Sequence, residues 1–544
     1  MTRQRICVLF LAAALFALPV QPGARADAGP AAAKASGEVN FQISCGPAVQ
    51  KTFKEAVWTL HSFWYPEALK GFTAVIEAEP GCAMGYWGIA MSHWYPLWYP
   101  PSPAALKAGA EAVEKAVAAG PKTEREKDYI AAIAAFYHDS DKLDHHTRAV
   151  AYEKAMEQVY LGYPEDREAA AFYGLALNAS ALPTDKTYAN QRKAAEILNK
   201  VWAEQPNHPG VVHYLIHSDD SPEFAAAGLD AAICYSKVAP DVPHALHMPS
   251  HIFTRLGMWQ QSIDSNRAAH AAAVAYVRKT LGPESFDSET VHTMDYLEYA
   301  YLQTAQDRGA KEVVDELTSF RQSAAPNLGM AYAVAAIPVR YALERRDWPA
   351  AAALSEPAIG FPLERFPWAE AMIAFARALG DARTGNIAGA EAEIGRLQSL
   401  EDKLKGNDTY WANQVEVQRL AAAGILAHVR GDDKKAVALV RAAADLDATM
   451  DKHPATPSSV LPTRELLADL LLELNQPAAA LVEYRAMLST DPNRFRSLLG
   501  EARAAKQTGD SATAHDAYGK LVALSKPVDA ARPELAEARS YLTN

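Results

Sequence analysis

The chain has 544 residues, of which 49% are hydrophobic and 22% are charged, and its formal charge is −12. This length exceeds the size of a single compact core, although a repeat protein can grow by adding units without splitting into globular domains. An acidic chain with no basic block is a poor candidate for binding nucleic acid or an anionic membrane surface. No alternation of polar and apolar residues is sustained over several segments, which favours an all-helical structure.

The N-terminus has the features of a secretory signal peptide. Basic MTRQR precedes an apolar run that is too short to span a bilayer, and Ala24-Arg25-Ala26 forms a small-x-small cleavage site. We expect cleavage after residues 1–26, a flexible leader over residues 27–46, and export to the periplasm or the medium. Cleavage would remove three arginines and change the formal charge from −12 to −15. No other segment is long and apolar enough to span a membrane, so we predict no transmembrane segment in the mature chain.

A spacing of small, large, large and proline residues recurs at intervals of four, three and five positions. Successive copies thirty-four residues apart begin at Ala194, Gly228 and Ser262, the last lacking the proline, and further copies begin at Ala68 and Ala480. This spacing resembles the tetratricopeptide (TPR) repeat, a helix-turn-helix unit of thirty-four residues. The resemblance implies an all-α fold, a right-handed α-solenoid of TPR-like helix-turn-helix repeats.

The first predicted unit runs from Pro47 to Pro80. Cys45 precedes the first helix of this unit, and Cys82 precedes the first helix of the next. The two cysteines could therefore be neighbours, and we expect them to form a disulfide in an oxidising compartment.

Histidines cluster in the middle of the chain, where five of the sixteen fall between His213 and His251. Adding thirty-four to His213 gives His247, and adding thirty-four to His217 gives His251, so equivalent positions of two consecutive repeats are histidine twice over. Residues four apart share one helix face, and neighbouring helices pack about 8–10 Å apart. An imidazole plus a metal bond of about 2.0–2.1 Å spans about half of that gap, so one ion could be held between both helices.

Two further histidines could extend the set. His244 stands at position two of its repeat, and the next first helix, SETVHTMDYLEYAYLQ, places His292 at position two, Asp295 at position five and Tyr299 at position nine. The TPR resemblance implies that positions two, five and nine of a first helix face the concave groove. A pair of ions would require His244 and His292 to supply a second set of ligands.

Two aspartates follow HYLIH after one serine, and the second of them is at groove position twelve. Asp219, Asp220, Asp295 and Tyr299 are candidates to accept a hydrogen bond from a ligand imidazole or to bind the ion themselves. Neutral imidazole suits zinc, copper or iron, so we expect a transition metal of this kind.

The segment HALHMPSHIFTRLGMW also resembles a signature of exported bacterial TPR-containing proteins. This resemblance covers most of the mature chain, including SCGPAVQ and CAMGYWGIAMS. It implies the repeat fold but no particular activity. We expect residues 47–322 to form an N-terminal TPR-like solenoid that contains the histidines, and residues 323–544 to form a C-terminal TPR-like solenoid with a capping helix.

Two functions fit these features. The first is a scaffold that binds a protein or peptide partner in its concave groove, as TPR groups generally do, with a histidine-rich metal site as a structural element. The second is a metal-dependent enzyme, a hydrolase or an oxidase/oxygenase, in which the ion keeps an open position and activates water or dioxygen. The sequence favours the scaffold because the repeat is its clearest feature, whereas an open coordination position would favour the enzyme.

Overall fold

The computed structural model describes residues 37–97 and 100–543. The predicted signal peptide and residues 27–36 of the predicted leader lie outside the described residues. None of the described helices is long and apolar enough to cross a membrane.

The described chain is built almost entirely of helices, which confirms the predicted fold class. Up to residue 242 they are α1 (Gln50–His61), α2 (Tyr65–Ala78), α3 (Ala83–Ser92), α4 (Pro103–Ala118), α5 (Glu124–Tyr137), α6 (His145–Gly162), α7 (Arg167–Ser180), α8 (Ala189–Glu204), α9 (Pro209–Asp219) and α10 (Leu229–Val238). The middle of the chain contains α11 (Pro243–His247), α12 (Pro249–Arg255), α13 (Trp259–Thr280), α14 (Ser288–Gln303), α15 (Asp307–Ser319), α16 (Leu328–Glu344) and α17 (Trp348–Ala352).

The remaining helices are α18 (Pro367–Thr384), α19 (Ile387–Leu404), α20 (Thr409–Val429), α21 (Asp433–Asp447), α22 (Thr463–Glu473), α23 (Pro477–Thr490), α24 (Phe495–Thr508), α25 (Ser511–Leu524) and α26 (Pro533–Thr543), preceded by a 3-10 turn at Leu363–Arg365. Two short strands, β1 (Ser285–Phe286) and β2 (Gln322–Ser323), pair in parallel.

Successive helices form pairs that stack into a solenoid. Each first helix packs on its own second helix, and first helices of neighbouring pairs also touch, as α7 does with α9 and α14 with α16. The repeat spacing explains this packing, because Ala194, Leu198 and Val201 all point into the core. The solenoid curls tightly, since α1 contacts α9 and α14 contacts α24.

The N-terminal turn of the solenoid is fixed covalently and by a close helix approach. Cys45 and Cys82 are joined by a disulfide with a Cα–Cα distance of 5.4 Å. At Gly210, at the start of α9, an added Cβ would lie 2.4 Å from His61 Nδ1. Only glycine therefore lets α9 approach α1 this closely.

The segment HALHMPSH forms two short helices that meet at Met248. Pro249 lacks a backbone N–H and cannot continue the hydrogen-bond ladder of α11, so the chain restarts there as α12.

The loop between α21 and α22, residues 448–462, crosses the inner surface and is called the inner segment below. Its Thr456 carbonyl accepts a hydrogen bond from Tyr296 at 2.9 Å, and its Ser458 carbonyl accepts one from Tyr332 at 2.9 Å. Lys452 of the same segment binds Asp220 at 2.9 Å. The concave face beside the histidines is therefore covered by the chain itself.

Candidate metal centre

Four short stretches of helix bring six histidines together on the inner surface. The histidines lie on α9, α11, α12 and α14 and form two triads, in each of which one ring nitrogen from every histidine lies within 4.8 Å of the other two. The first triad is His213, His217 and His244, and the second triad is His247, His251 and His292. All six are buried except His217, which is half-buried.

Ring nitrogens of each triad approach one another closely. In the first triad, His213 Nε2 lies 3.1 Å from the Nε2 atoms of both His217 and His244. In the second triad, Nε2 of His247 lies 3.1 Å from Nε2 of His251. Two nitrogens at this separation subtend about 100° at an ion with bonds of about 2.0–2.1 Å, which suits tetrahedral or octahedral coordination.

The hydrogen bonds of the second triad fix which nitrogens carry protons. His247 Nδ1 lies 2.6 Å from Asn266 Oδ1, and the Asn266 amide nitrogen is itself donating to the Ser262 carbonyl at 2.8 Å. Asn266 Oδ1 must therefore accept, so His247 Nδ1 carries the proton and Nε2 is bare.

The same reasoning applies to His251. Its Nδ1 lies 2.9 Å from Asp220 Oδ2. Burial opposes ionisation of Asp220, but the cations Lys452 and Arg255 hold the pKa of this carboxyl well below its usual value. An ionised carboxylate can only accept, so His251 Nδ1 is the donor and its Nε2 is bare.

Two bare nitrogens therefore face each other at 3.1 Å in the second triad. A hydrogen bond between them would need an extra proton, which burial disfavours: it lowers the pKa of His251 to about 4 and that of His247 well below its usual value. Two facing lone pairs repel each other unless a cation lies between them. A transition metal ion meets this requirement, and carboxylate–histidine–metal chains of the Asp220–His251 type are typical of metal sites.

The first triad has the same polarity. His213 Nδ1 donates to the His61 backbone carbonyl at 2.7 Å, which leaves its Nε2 bare. That single lone pair faces two imidazoles, His217 and His244, and can accept a proton from only one of them. Burial lowers the pKa of His213 and of His217 well below the usual value, so an imidazolium is disfavoured here as well.

The two triads adjoin one another. Ring centroids are 6.2 Å apart for His244 and His247, and 5.9 Å apart for His217 and His251. Six imidazoles in two convergent trios fit a pair of ions better than a single ion.

Aromatic rings cover the triads. Phe63 contacts all three rings of the first triad, with centroids 4.4 Å from His213 and 5.5 Å from His244. Tyr296 packs on the second triad, 4.8 Å from His247. Phe63 has a φ of 54°, an unfavourable backbone conformation for this residue that is retained where it packs against the histidines.

The four polar residues predicted beside the histidines have different partners. Asp220 accepts from His251, as described above. Asp295 pairs with Arg340, and the Tyr299 hydroxyl accepts from Arg494 at 3.0 Å, so both bind arginines. Asp219 is buried, which raises its pKa to about 7, and no hydrogen bond joins its carboxylate to a histidine within the described ranges.

Sequence reasoning missed several residues that complete the site, among them Phe63, Lys452 and Asn266. The sequence did contain an indication that Asn266 has a special role. This residue occupies the first large position of the repeat spacing, where Leu198 stands two repeats earlier, and it is fully buried. A polar residue at a core position of a repeat indicates a partner that needs it.

A third buried cluster, His61, Glu168 and His208, also has metal-like spacing. His208 Nδ1 accepts from the Val211 N–H, so its Nε2–H donates to Glu168 at 3.0 Å. His61 has Glu168 at 2.8 Å on one nitrogen and the Tyr214 hydroxyl at 2.9 Å on the other. Every ring nitrogen thus has a partner of the right polarity, and this cluster is a complete hydrogen-bond network without an ion.

A cavity of about 310 Å³ adjoins the first triad. His217, Asp220, Lys452 and His453 all border it. The half-buried ring of His217 therefore connects the histidines to a space large enough for a small molecule.

Comparisons with known proteins add little beyond a helical likeness. No protein-family model matches the chain, and no curated protein matches it. Solved structures that match include the human IFIT1 dimer with PPP-AAAA (11% identity, 89% of this chain and 96% of that chain, TM-score 0.37) and the same human dimer with m7Gppp-AAAA (12%, 82% and 90%, 0.37). A tetratricopeptide repeat protein from Parabacteroides merdae ATCC 43184 also matches (9%, 77% and 100%, 0.24).

Proposed function

We propose that the protein is a transition-metal-dependent enzyme whose two histidine triads hold a pair of ions on the inner surface of a TPR-like solenoid. The observation that carries this proposal is the 3.1 Å contact between the bare Nε2 atoms of His247 and His251. Buried, unprotonated nitrogens that face one another are set up to share a cation.

The ligand set favours copper among the expected metals. Both triads consist of imidazole alone, with no thiolate and no carboxylate, and imidazole suits zinc, copper and iron. Copper(II) binds a given nitrogen site more tightly than the other divalent first-row ions. A redox-active ion in turn favours an oxidase or oxygenase over a hydrolase.

An enzyme is favoured over a purely structural site because three protein ligands leave each ion with open positions. Six neutral imidazoles would not offset the charge of the ions, so an anion from solvent would be expected to complete their coordination. The chain supplies the surroundings: Asp220 orients His251, while Phe63 and Tyr296 pack against the rings.

Two further expectations accompany this proposal. Export to the periplasm or medium is supported by the Cys45–Cys82 disulfide, because disulfides persist in oxidising compartments. Binding of a protein or peptide partner in the concave groove stays a prediction, and it concerns the parts of the groove that the inner segment leaves uncovered.

Elemental analysis of the protein, purified without an affinity tag and loaded with copper, zinc or iron, tests the proposal. We expect about two ions per chain in wild type and about one in His217→Ala and in His251→Ala, since each removes a ligand from one triad. His515→Ala, at an exposed histidine, serves as the matched control and should keep the wild-type content. Equally negligible metal in wild type and in both triad variants would refute the proposal.

A further inference from the structure

We propose that the cavity beside the first triad is a binding site for a small planar organic anion, held by Lys452 and His453 through its oxygen atoms. The proposal rests on the proposed function, since it places the substrate of the same centre. The volume of about 310 Å³ is at the lower end of ligand pockets and suits a molecule about the size of a substituted benzene ring.

His453 offers a donor that the fold does not use. Its Nδ1 accepts from the Ala455 N–H at 3.1 Å, so the proton is on Nε2. No hydrogen bond to Nε2 is present in the part of the chain that the structure describes, and the residue borders the cavity. The ring is fixed against Trp411, with centroids 5.7 Å apart and planes 29° apart. Burial lowers the pKa of His453 to about 4, so at neutral pH it is a neutral N–H donor.

Lys452 supplies a second donor next to it. Its ammonium group has three N–H bonds, and one of them binds Asp220 Oδ2 at 2.9 Å. The remaining donors and the N–H of His453 belong to neighbouring residues on the wall of one cavity. A carboxylate or phenolate oxygen is the acceptor that such a pair of donors recognises best.

The carboxylates that border the cavity are bound by other groups of the protein. Arg255 binds Asp220 and Asp451, at 2.9 and 3.0 Å, while Asp408 accepts from the Trp411 N–H and has its pKa raised by burial. Ions in the triads would add positive charge that the neutral imidazoles do not offset. These ions would favour an anion over a cation of the same size in this space.

The remaining wall favours a flat apolar body. Leu182, Pro183 and Trp411 contribute to it, and His217 of the first triad borders the same space. A ring held by its anionic group at Lys452 and His453 therefore lies within the cavity that leads to the metal ligands.

Equilibrium binding of sodium benzoate, measured by titration calorimetry on copper-loaded and metal-free protein, tests this assignment. Benzylamine is the cationic comparator of the same size. We expect benzoate to bind and benzylamine not to bind measurably, and we expect His453→Phe and Lys452→Met each to weaken benzoate binding by about tenfold or more. His453→Phe keeps a ring against Trp411, and His515→Phe is the matched control at an exposed histidine.

Binding of benzylamine as tightly as benzoate, or wild-type benzoate affinity in both variants, would overturn the assignment, as would no benzoate binding to either form. Circular dichroism would verify that each variant is folded. Because both donors belong to the protein, benzoate should also bind the metal-free form. Retained benzoate binding in a protein that takes up no metal would refute the proposed function alone, whereas metal binding without benzoate binding would refute only the cavity assignment.

Discussion

The paired triads and the His61–Glu168–His208 cluster look alike by composition and spacing but differ in the polarity of their contacts. Both are buried, and both bring three potential ligand atoms within 4.8 Å. Around Glu168, each donor meets an acceptor, so the cluster is complete as it stands. In the second triad, acceptor faces acceptor at 3.1 Å. The comparison teaches that a histidine metal site is recognised by the hydrogen bonds of the ring nitrogens that point away from the ion. Those bonds decide which nitrogen of each ring carries the proton.

The largest expected effect comes from breaking the complete network. Glu168→Leu would leave the Nε2–H groups of His61 and His208 buried without an acceptor, which should lower the free energy of unfolding by about 3 kcal/mol. Urea unfolding measures the change. Metal content should stay near that of wild type, because neither triad loses a ligand.

Glu168→Gln provides the matched control for this loss. The glutamine oxygen can accept from His208, and its amide can donate to His61 if Tyr214 and His61 exchange donor and acceptor roles. We expect it to regain most of the stability. Loss of bound metal in Glu168→Leu without a loss of stability would break the distinction between the two clusters.

Acidification should destabilise the metal-free protein through its buried histidines. His251 has its pKa lowered from 6.5 to about 4 by burial, so between these values the unfolded chain takes up a proton that the folded chain refuses. Stability is therefore complete above about pH 6.5 and falls as the pH drops toward 4, by about 2 kcal/mol between pH 7 and 5 for this one group.

The Glu168 carboxylate should not contribute to that loss, whereas His61 beside it should, because burial also lowers the pKa of His61. Although burial opposes ionisation, His208 and His61 lower the pKa of Glu168, so its stabilisation disappears only below the unfolded value of 4.5. Urea unfolding at pH 7 and 5 provides the measurement. A stability of metal-free wild type that is unchanged between these pH values would contradict the assignment of His251 as a buried neutral imidazole.

The smallest and most selective effect is expected from Asn266→Leu. Leucine matches Leu198 at the equivalent position two repeats earlier, and in metal-free protein the His247 proton can move to Nε2 and be donated to His251 Nε2, so little stability should be lost. The change removes the acceptor that orients His247, and metal affinity should fall at least about tenfold. Competition with a chelator measures the affinity. Wild-type affinity in this variant would show that the Asn266–His247 bond does not support the centre.

The sequence by itself determined the repeat and the position of the histidines on it. A period of thirty-four residues is a local property of each helix pair, so it predicted the all-α solenoid and the equivalence of His213 with His247 and of His217 with His251. Cys45 and Cys82 were also predicted to be neighbours from the positions of successive first helices, and the structure joins them. These predictions succeed because they need only the contacts of adjacent units.

Only the tertiary structure decided how the histidines divide and what holds them. His244 joins the triad of α9, and His292 joins that of α11 and α12, a division that helical spacing within each unit does not give. Asp295 and Tyr299 have the predicted helix positions but bind Arg340 and Arg494, which arrive from later units.

The proton positions were equally inaccessible from the sequence. The proton position of His213 depends on the backbone carbonyl of His61, 152 residues earlier in the chain. The ionisation of Asp220 depends on Lys452, 232 residues later. Such contacts form because the solenoid curls until distant turns meet, and that curvature sums small rotations of every unit. A local repeat pattern determines which face of each helix is buried, but it does not determine the total curvature of the solenoid. The proton positions at the site therefore depend on contacts between distant parts of the chain.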